Sequence, residues 1–101
     1  MGSATFYTTA SGPTLEAAFE QARQEAAFEY GRGGYTGTIA EKDEATLIDT
    51  ALLTEDDAMK RASGLIDIGD PRVDDKWGPA GALPIRADGE GTWLFFGWAS
   101  C

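Results

Sequence analysis

The chain has no histidine, and its one cysteine is Cys101. The absence of histidine removes the commonest metal ligand and the commonest general base near neutral pH. A single cysteine excludes an intramolecular disulfide and a zinc site built on several cysteines. No Gly-x-Ser-x-Gly motif or similar nucleophile pattern compensates for these absences. The sequence therefore predicts a non-enzymatic protein without a metal site or cofactor.

Long apolar runs and positive charge are also scarce. No hydrophobic segment approaches the roughly 18 residues of a membrane-spanning helix, and no basic-then-apolar leader opens the chain. Eight Lys and Arg against 17 Asp and Glu give a formal charge of −9. Such a surface repels phosphate backbones and anionic lipid. We expect a soluble cytoplasmic protein without direct nucleic-acid or membrane binding, and a partner with a basic surface is its natural complement. General solubility is the stronger explanation of the acidity.

The 101 residues favour one α+β domain, spanning residues 1–101. Apolar residues at helical spacing, strand-forming residues and turn signals predict the order β-α-β-β-α-β-β. We expect a mainly antiparallel sheet of four to five strands with two helices on one face. The other face would be covered by the long loop, a partner or a second copy, so a homo-oligomer is possible. The predicted elements are a strand at 4–10, a helix at 15–30, a hairpin of strands at 35–40 and 45–49, a helix from Thr54 to Gly69, a long loop at 70–84, and a hairpin of strands at 83–87 and 92–99.

The first candidate site is the glycine-rich segment 31–42. Its backbone amides, hydroxyls and cations suit an anion, and its tyrosine can stack on a base. The Gly-Lys-Ser/Thr ending of a P-loop is missing, and the glycines follow a helix rather than a strand. A helix stop followed by a glycine-bent strand explains the same residues. The candidate ligand- or partner-binding residues here are Arg32, Tyr35, Thr36, Thr38 and Lys42.

The second candidate site is the loop at 70–81, where Trp77 stands among charged residues, prolines and glycines. A tryptophan in such a loop is a good recognition platform, although it can equally close the open end of a core. We assign Asp75, Lys76 and Trp77 to this site, and add Arg86 as a further cation. The nearby carboxylates lack the spacing of a calcium-binding loop and are better explained as a solvated acidic surface.

Two segments carry a resemblance. Residues 34–42 (GYTGTIAEK) and 73–81 (VDDKWGPAG) resemble stretches of small uncharacterised proteins encoded by actinobacterial phages and related mobile elements. The matches cover under a third of the chain, and that family carries no activity to transfer. The resemblance implies a phage or mobile-element setting, and hence the cytoplasm of a host cell.

Three functions remain open at this stage. The leading one is an anti-defence inhibitor that binds a host protein with a basic surface stoichiometrically. The second is an oligomeric protein that binds or sequesters a nucleotide-like small molecule. The third is a structural or assembly protein of a virion.

Overall fold

The computed structural model describes residues 2–30, 37–86 and 91–100 of the chain. Within these ranges there are four strands, two α-helices and one turn of 3-10 helix. They run in the order β1 (Ser3–Gly12), α1 (Leu15–Tyr30), the 3-10 turn (Ile39–Glu41), β2 (Ala45–Leu47), α2 (Glu55–Ile68), β3 (Ala80–Ile85) and β4 (Gly91–Ser100). The predicted α+β class, with two helices and a four-stranded sheet, is confirmed.

Side-chain caps fix where the two helices begin. Thr14 precedes α1, and its hydroxyl accepts a hydrogen bond from the amide of Ala17 at 3.1 Å. Thr54 caps α2 in the same way through the amide of Asp57, at 3.2 Å. Gly69 ends α2 in the left-handed conformation, at φ 67°, which glycine adopts without steric cost. Both predicted helices are confirmed, because capping residues and apolar spacing agree in each.

The sheet is mixed, in the order β1-β4-β3-β2. The predicted terminal hairpin is confirmed: β3 and β4 are antiparallel, and β4 also pairs antiparallel with β1. The predicted hairpin between residues 35–40 and 45–49 is wrong, because β2 pairs with β3 in parallel. Residues 37–41 form a bend and the 3-10 turn rather than a strand. Thr38 explains the difference, since its hydroxyl accepts from the amide of Ala40 and starts the turn.

The long loop is shorter than predicted, because β3 already begins at Ala80. Pro84 lies inside this buried strand, where a missing backbone donor is normally costly. Its carbonyl accepts from the amide of Leu53 at 3.1 Å, so its nitrogen faces the same side of β3. On that side β2 has already ended at Leu47. The proline therefore stands where the parallel ladder stops.

The two helices lie on opposite faces of the sheet, which corrects the expectation that they share one. Side chains alternate between faces along a strand. Phe95 of β4 belongs to the apolar cluster of α1, whereas its neighbours Leu94 and Phe96 belong to the cluster of α2. The connection through α1 crosses the sheet from β1 to β2, and the connection through α2 returns from β2 to β3. Connections of the same hand that run in opposite directions place their helices on opposite faces.

This arrangement covers both faces of β4. The rings of Phe19 in α1 and Phe95 lie 5.6 Å apart on one face. On the other face, Val73 from the loop after α2 is buried together with Leu94 and Phe96. We expected one face of the sheet to be covered by the long loop, a partner or a second copy. Over the central strands, α2 and the loop after it cover that face. None of the helices in the described ranges is long and apolar enough to span a membrane.

Candidate functional site

The loop of residues 70–79, which we call the Trp77 loop, joins α2 to β3. Its first half is shaped by Asp70, whose side chain accepts hydrogen bonds from the backbone amide and the guanidinium of Arg72, each at 2.9 Å. These contacts hold the pKa of Asp70 at about 2, below its usual value of 3.8. Val73 then turns inward and is buried in the α2 cluster. This half of the loop is attached to the core from the α2 side.

The second half of the loop is a tight turn that presents Trp77. The carboxylate of Asp75 accepts a hydrogen bond from the amide of Trp77, and its carbonyl accepts one from the amide of Gly78, both at 2.9 Å. The indole of Trp77 is 64% exposed. The ammonium of Lys76 lies 5.4 Å from the centre of that ring and donates to the carbonyl of Gly2 at 3.4 Å. Trp77, the one aromatic residue of the loop, thus lies on an ordered turn beside a cation.

Lys42 secures this turn from the α1 side. Its side chain is only 1% exposed. The ammonium donates to the carbonyls of Asp75 (3.2 Å), Lys76 (3.2 Å) and Gly78 (2.9 Å). A lysine ammonium has three donors and no acceptor, so these three contacts use its whole hydrogen-bonding capacity. Lys42 therefore positions the turn that carries Trp77.

Local structure explains how a lysine comes to be buried here. The 3-10 turn brings residues three apart onto one side, so Lys42 follows the buried Ile39 toward the sheet. The stem of Lys42 then passes near Gly97 of β4, where a Cβ atom would lie 3.9 Å from the Lys42 Cε. Gly97 has φ 154°, a conformation that residues with a side chain rarely adopt. Backbone conformation rather than space therefore favours glycine here, because a Cβ would make only ordinary van der Waals contacts with the lysine stem and the ring of Phe6.

Burial and charge act on the Lys42 ammonium in opposite directions. Burial lowers the pKa of Lys42 from its usual 10.5, because a low-dielectric site disfavours the charged form. The negative charge of Asp75 raises that pKa and so opposes the effect of burial. The three carbonyl oxygens also favour the ammonium, since hydrogen bonds to a charged group stabilise it.

The structure thus connects the two segments that the sequence singled out. Asp75, Lys76 and Trp77 lie together on the turn, and Lys42 lies beneath them rather than on the surface. Thr38 caps the 3-10 turn that leads to Lys42.

The remaining predicted site residues lie elsewhere. Arg86 is exposed and follows the opposite end of β3, about 20 Å from the Trp77 loop by strand length. Arg32, Tyr35 and Thr36 lie outside the described residues. Sequence reasoning missed Val73, although a single branched apolar residue within a charged loop is a signal for an anchor.

Three arginines in the described ranges have carboxylate partners. Arg23 contacts Glu20 at 3.2 Å, and Arg61 contacts Asp49 at 3.1 Å. Arg72 is bound to Asp70 as described above. Across residues 2–30, 37–86 and 91–100, no three acidic or cysteine side chains come close enough together to hold a metal ion. The site therefore presents an exposed aromatic ring rather than a set of converging cations.

Comparison with known proteins does not assign this site. No protein-family model matches the chain. Searches of curated proteins and of solved structures likewise give no significant match.

Proposed function

We propose that this chain is a non-enzymatic, acidic binding protein that recognises a protein partner through the Trp77 loop. The observation that carries the proposal is the pairing of exposure with fixation: Trp77 is 64% exposed, yet its turn is held by three hydrogen bonds from buried Lys42. Tryptophan is among the residues that contribute most to protein interfaces. A turn ordered in advance avoids much of the entropic cost of binding.

The charge of the molecule indicates the kind of partner. With a formal charge of −9, the chain attracts proteins whose exposed surface is basic. In the phage or mobile-element setting that the sequence resemblance implies, such a partner is a host protein. Occupying its basic surface would inhibit it one-to-one, as an anti-defence protein does.

A comparison of partner binding by the wild-type chain and by a variant that lacks the Trp77 ring tests this proposal. Tagged wild-type chain, Trp77→Ala and the control Phe28→Ala are used to capture proteins from an actinobacterial host lysate, and the captured partner is then purified for titration. Phe28 is a matched control because it is also an exposed aromatic, 90% accessible, but lies on α1. We expect Trp77→Ala to weaken binding by roughly 30-fold or more, as for an interface hot spot. Phe28→Ala should bind like the wild type.

A salt series separates charge from the aromatic contact. Raising the ionic strength from about 50 mM to about 500 mM should slow association of every variant, because screening weakens long-range attraction between exposed charges. If no protein is captured at low salt, or if Trp77→Ala binds the purified partner as tightly as the wild type, the proposal is wrong.

A further inference from the structure

Strand β1 forms one edge of the sheet and has unusual features for an edge. It runs for ten residues without a charged residue or a proline. Its register with β4 is unbroken from Ser3↔Ser100 to Gly12↔Gly91, so it has no bulge. Proteins normally protect exposed edges with charges, prolines, bulges or short strands. In the described part of the chain, β1 has none of these protections, and no strand pairs with its outer side.

The hydrogen bonds of β3 show how its backbone is oriented. The carbonyls of Ala82 and Pro84 accept from the amides of Ile48 and Leu53, at 2.9 and 3.1 Å. The even-numbered residues of β3 therefore turn their backbone groups toward β2. Because the two groups of each residue point to the same side and alternate along a strand, the odd-numbered residues of β3 face β4.

The residue pairs between neighbouring strands then determine which way the backbone groups of β1 point. The backbone groups of Leu83 point toward its partner Leu94 in β4, and those of Leu94 point back. Because backbone groups alternate along a strand, those of the next residue, Phe95, point toward its partner Thr8 in β1. The even-numbered residues of β1 are thus bonded to β4. The odd-numbered ones direct their amides and carbonyls outward from the sheet: Ser3, Thr5, Tyr7, Thr9 and Ser11.

A groove of about 350 Å³ follows this open edge. Four consecutive residues of β1, 5–8, line it. Since successive side chains point to opposite faces, this run includes residues of both faces, as a groove along the strand's edge would have. The opposite wall is a stripe of α1 at helical spacing, consisting of Ala22, Glu25, Ala26 and Glu29, and Gly37 and Thr38 also line the groove.

From this geometry we infer that the outer edge of β1 binds an extended segment of a partner protein as a fifth strand, and that this segment carries lysine or arginine on alternate residues. The open amides and carbonyls supply main-chain hydrogen bonds, as in other cases of strand addition. Every second side chain of the added strand faces α1, where it meets Glu25 and Glu29. Neither carboxylate forms an ion pair with a cation among residues 2–30, 37–86 and 91–100. The β1 strand of a second copy carries no cation, so it would leave Glu25 and Glu29 without an ion-pair partner.

This surface adjoins the Trp77 loop but does not depend on it. The Lys76 ammonium contacts the carbonyl of Gly2, immediately before β1 begins. A strand added along β1 therefore ends beside Trp77, so one partner protein has room to contact both surfaces.

Two synthetic decapeptides test the inference. One alternates lysine with threonine or valine, and the other carries glutamate in place of lysine. Their binding to the full chain is measured by NMR titration and by amide hydrogen exchange. We expect the lysine peptide to bind roughly fivefold tighter or more at low salt, as two exposed ion pairs would give. It should slow exchange at the amides of Thr5, Tyr7 and Thr9.

Variants distinguish the contribution of the β1 backbone from that of Glu25 and Glu29. Thr5→Pro removes one outward amide without removing a hydrogen bond to β4, and should weaken the lysine peptide roughly five- to tenfold. Thr5→Val keeps that amide and should bind like the wild type. The double variant Glu25→Lys/Glu29→Lys should prefer the glutamate peptide. The exposed pair Asp43→Lys/Asp67→Lys changes the net charge equally and should keep the lysine preference.

Three results would overturn the inference. One is that neither peptide protects the β1 amides. A second is that the charge preference does not reverse in Glu25→Lys/Glu29→Lys. The third is that those amides become protected as the concentration of the chain alone is raised, because the edge then binds a second copy. The peptides are titrated against the purified chain, whereas the proposed function is tested on a captured host protein, so failure of this inference is distinguishable from failure of the proposed function.

Discussion

Replacing Lys42 with methionine tests whether one buried ammonium holds the Trp77 loop. Methionine keeps an unbranched stem of similar length and removes the charge and all three donors. The three carbonyls that lose their partner belong to Asp75, Lys76 and Gly78. The change also removes the attraction between the ammonium and the carboxylate of Asp75.

The expected loss of stability follows from the three contacts. Hydrogen bonds to a charged group contribute roughly 1.5–3 kcal/mol each, so three contribute about 4.5–9 kcal/mol before other effects. Methionine avoids the desolvation of an ammonium, which returns several kcal/mol. The freed carbonyls also regain water when the turn opens. We therefore expect Lys42→Met to lower the free energy of unfolding by about 2–4 kcal/mol.

Urea denaturation measures this loss, and hydrogen exchange locates it. The slope of the transition should stay constant, which shows that the change is one of stability. The amides of Trp77 and Gly78, which donate to Asp75, should exchange faster in Lys42→Met. Lys60→Met is the matched control, because Lys60 is an exposed lysine on α2 and the change in net charge is identical. If Lys42→Met unfolds like Lys60→Met and the exchange of both amides is unchanged, Lys42 does not hold the loop.

Two further predictions concern packing and acid stability. A Cβ on Gly81 would lie 2.7 Å from the ring of Phe96, so Gly81→Ala should cost about 1–3 kcal/mol in urea denaturation. Gly64→Ala has open space within α2 and should add about 0.5–1 kcal/mol instead; equal effects would contradict the packing argument. The pKa of Asp70 is depressed to about 2 by Arg72, so its contribution to stability is present above the usual value of 3.8 and is lost as the pH falls toward about 2. Asp70→Asn should lack that contribution, and its unfolding free energy should fall less steeply over this range; parallel curves would refute the assignment.

Local signals in the sequence were sufficient to predict the helices. Thr14 and Thr54 are capping residues directly before apolar residues at helical spacing, and Gly69 is a helix stop followed by a proline. Each signal acts within a few residues, so the tertiary structure had little opportunity to override it.

Long-range pairing was the part that the sequence could not predict. The short strand β2 pairs with β3, and α2 intervenes in the chain between them. Residues 35–40 carry strand-forming side chains, but Thr38 directs the chain into a 3-10 turn instead. The opposite placement of the helices depends on strand order, which no local pattern encodes.

Only the part of the candidate site that depends on local signals could be predicted from the sequence. A tryptophan among prolines, glycines and charges indicates an exposed loop, and Trp77 is exposed. A lysine at the end of a polar segment indicates a surface cation, yet Lys42 is buried. Its burial requires the 3-10 turn and three carbonyls from a loop more than thirty residues later.

The central position of β4 has a consequence for the order of folding. The first strand of the chain and the third both pair with this last strand, and Ser3 lies opposite Ser100. During synthesis β1 therefore has no partner until residues 91–100 have emerged from the ribosome, while the two helices can already form. Until then neither edge of β1 has a strand to pair with, and the four-stranded sheet can form only when β4 enters between β1 and β3.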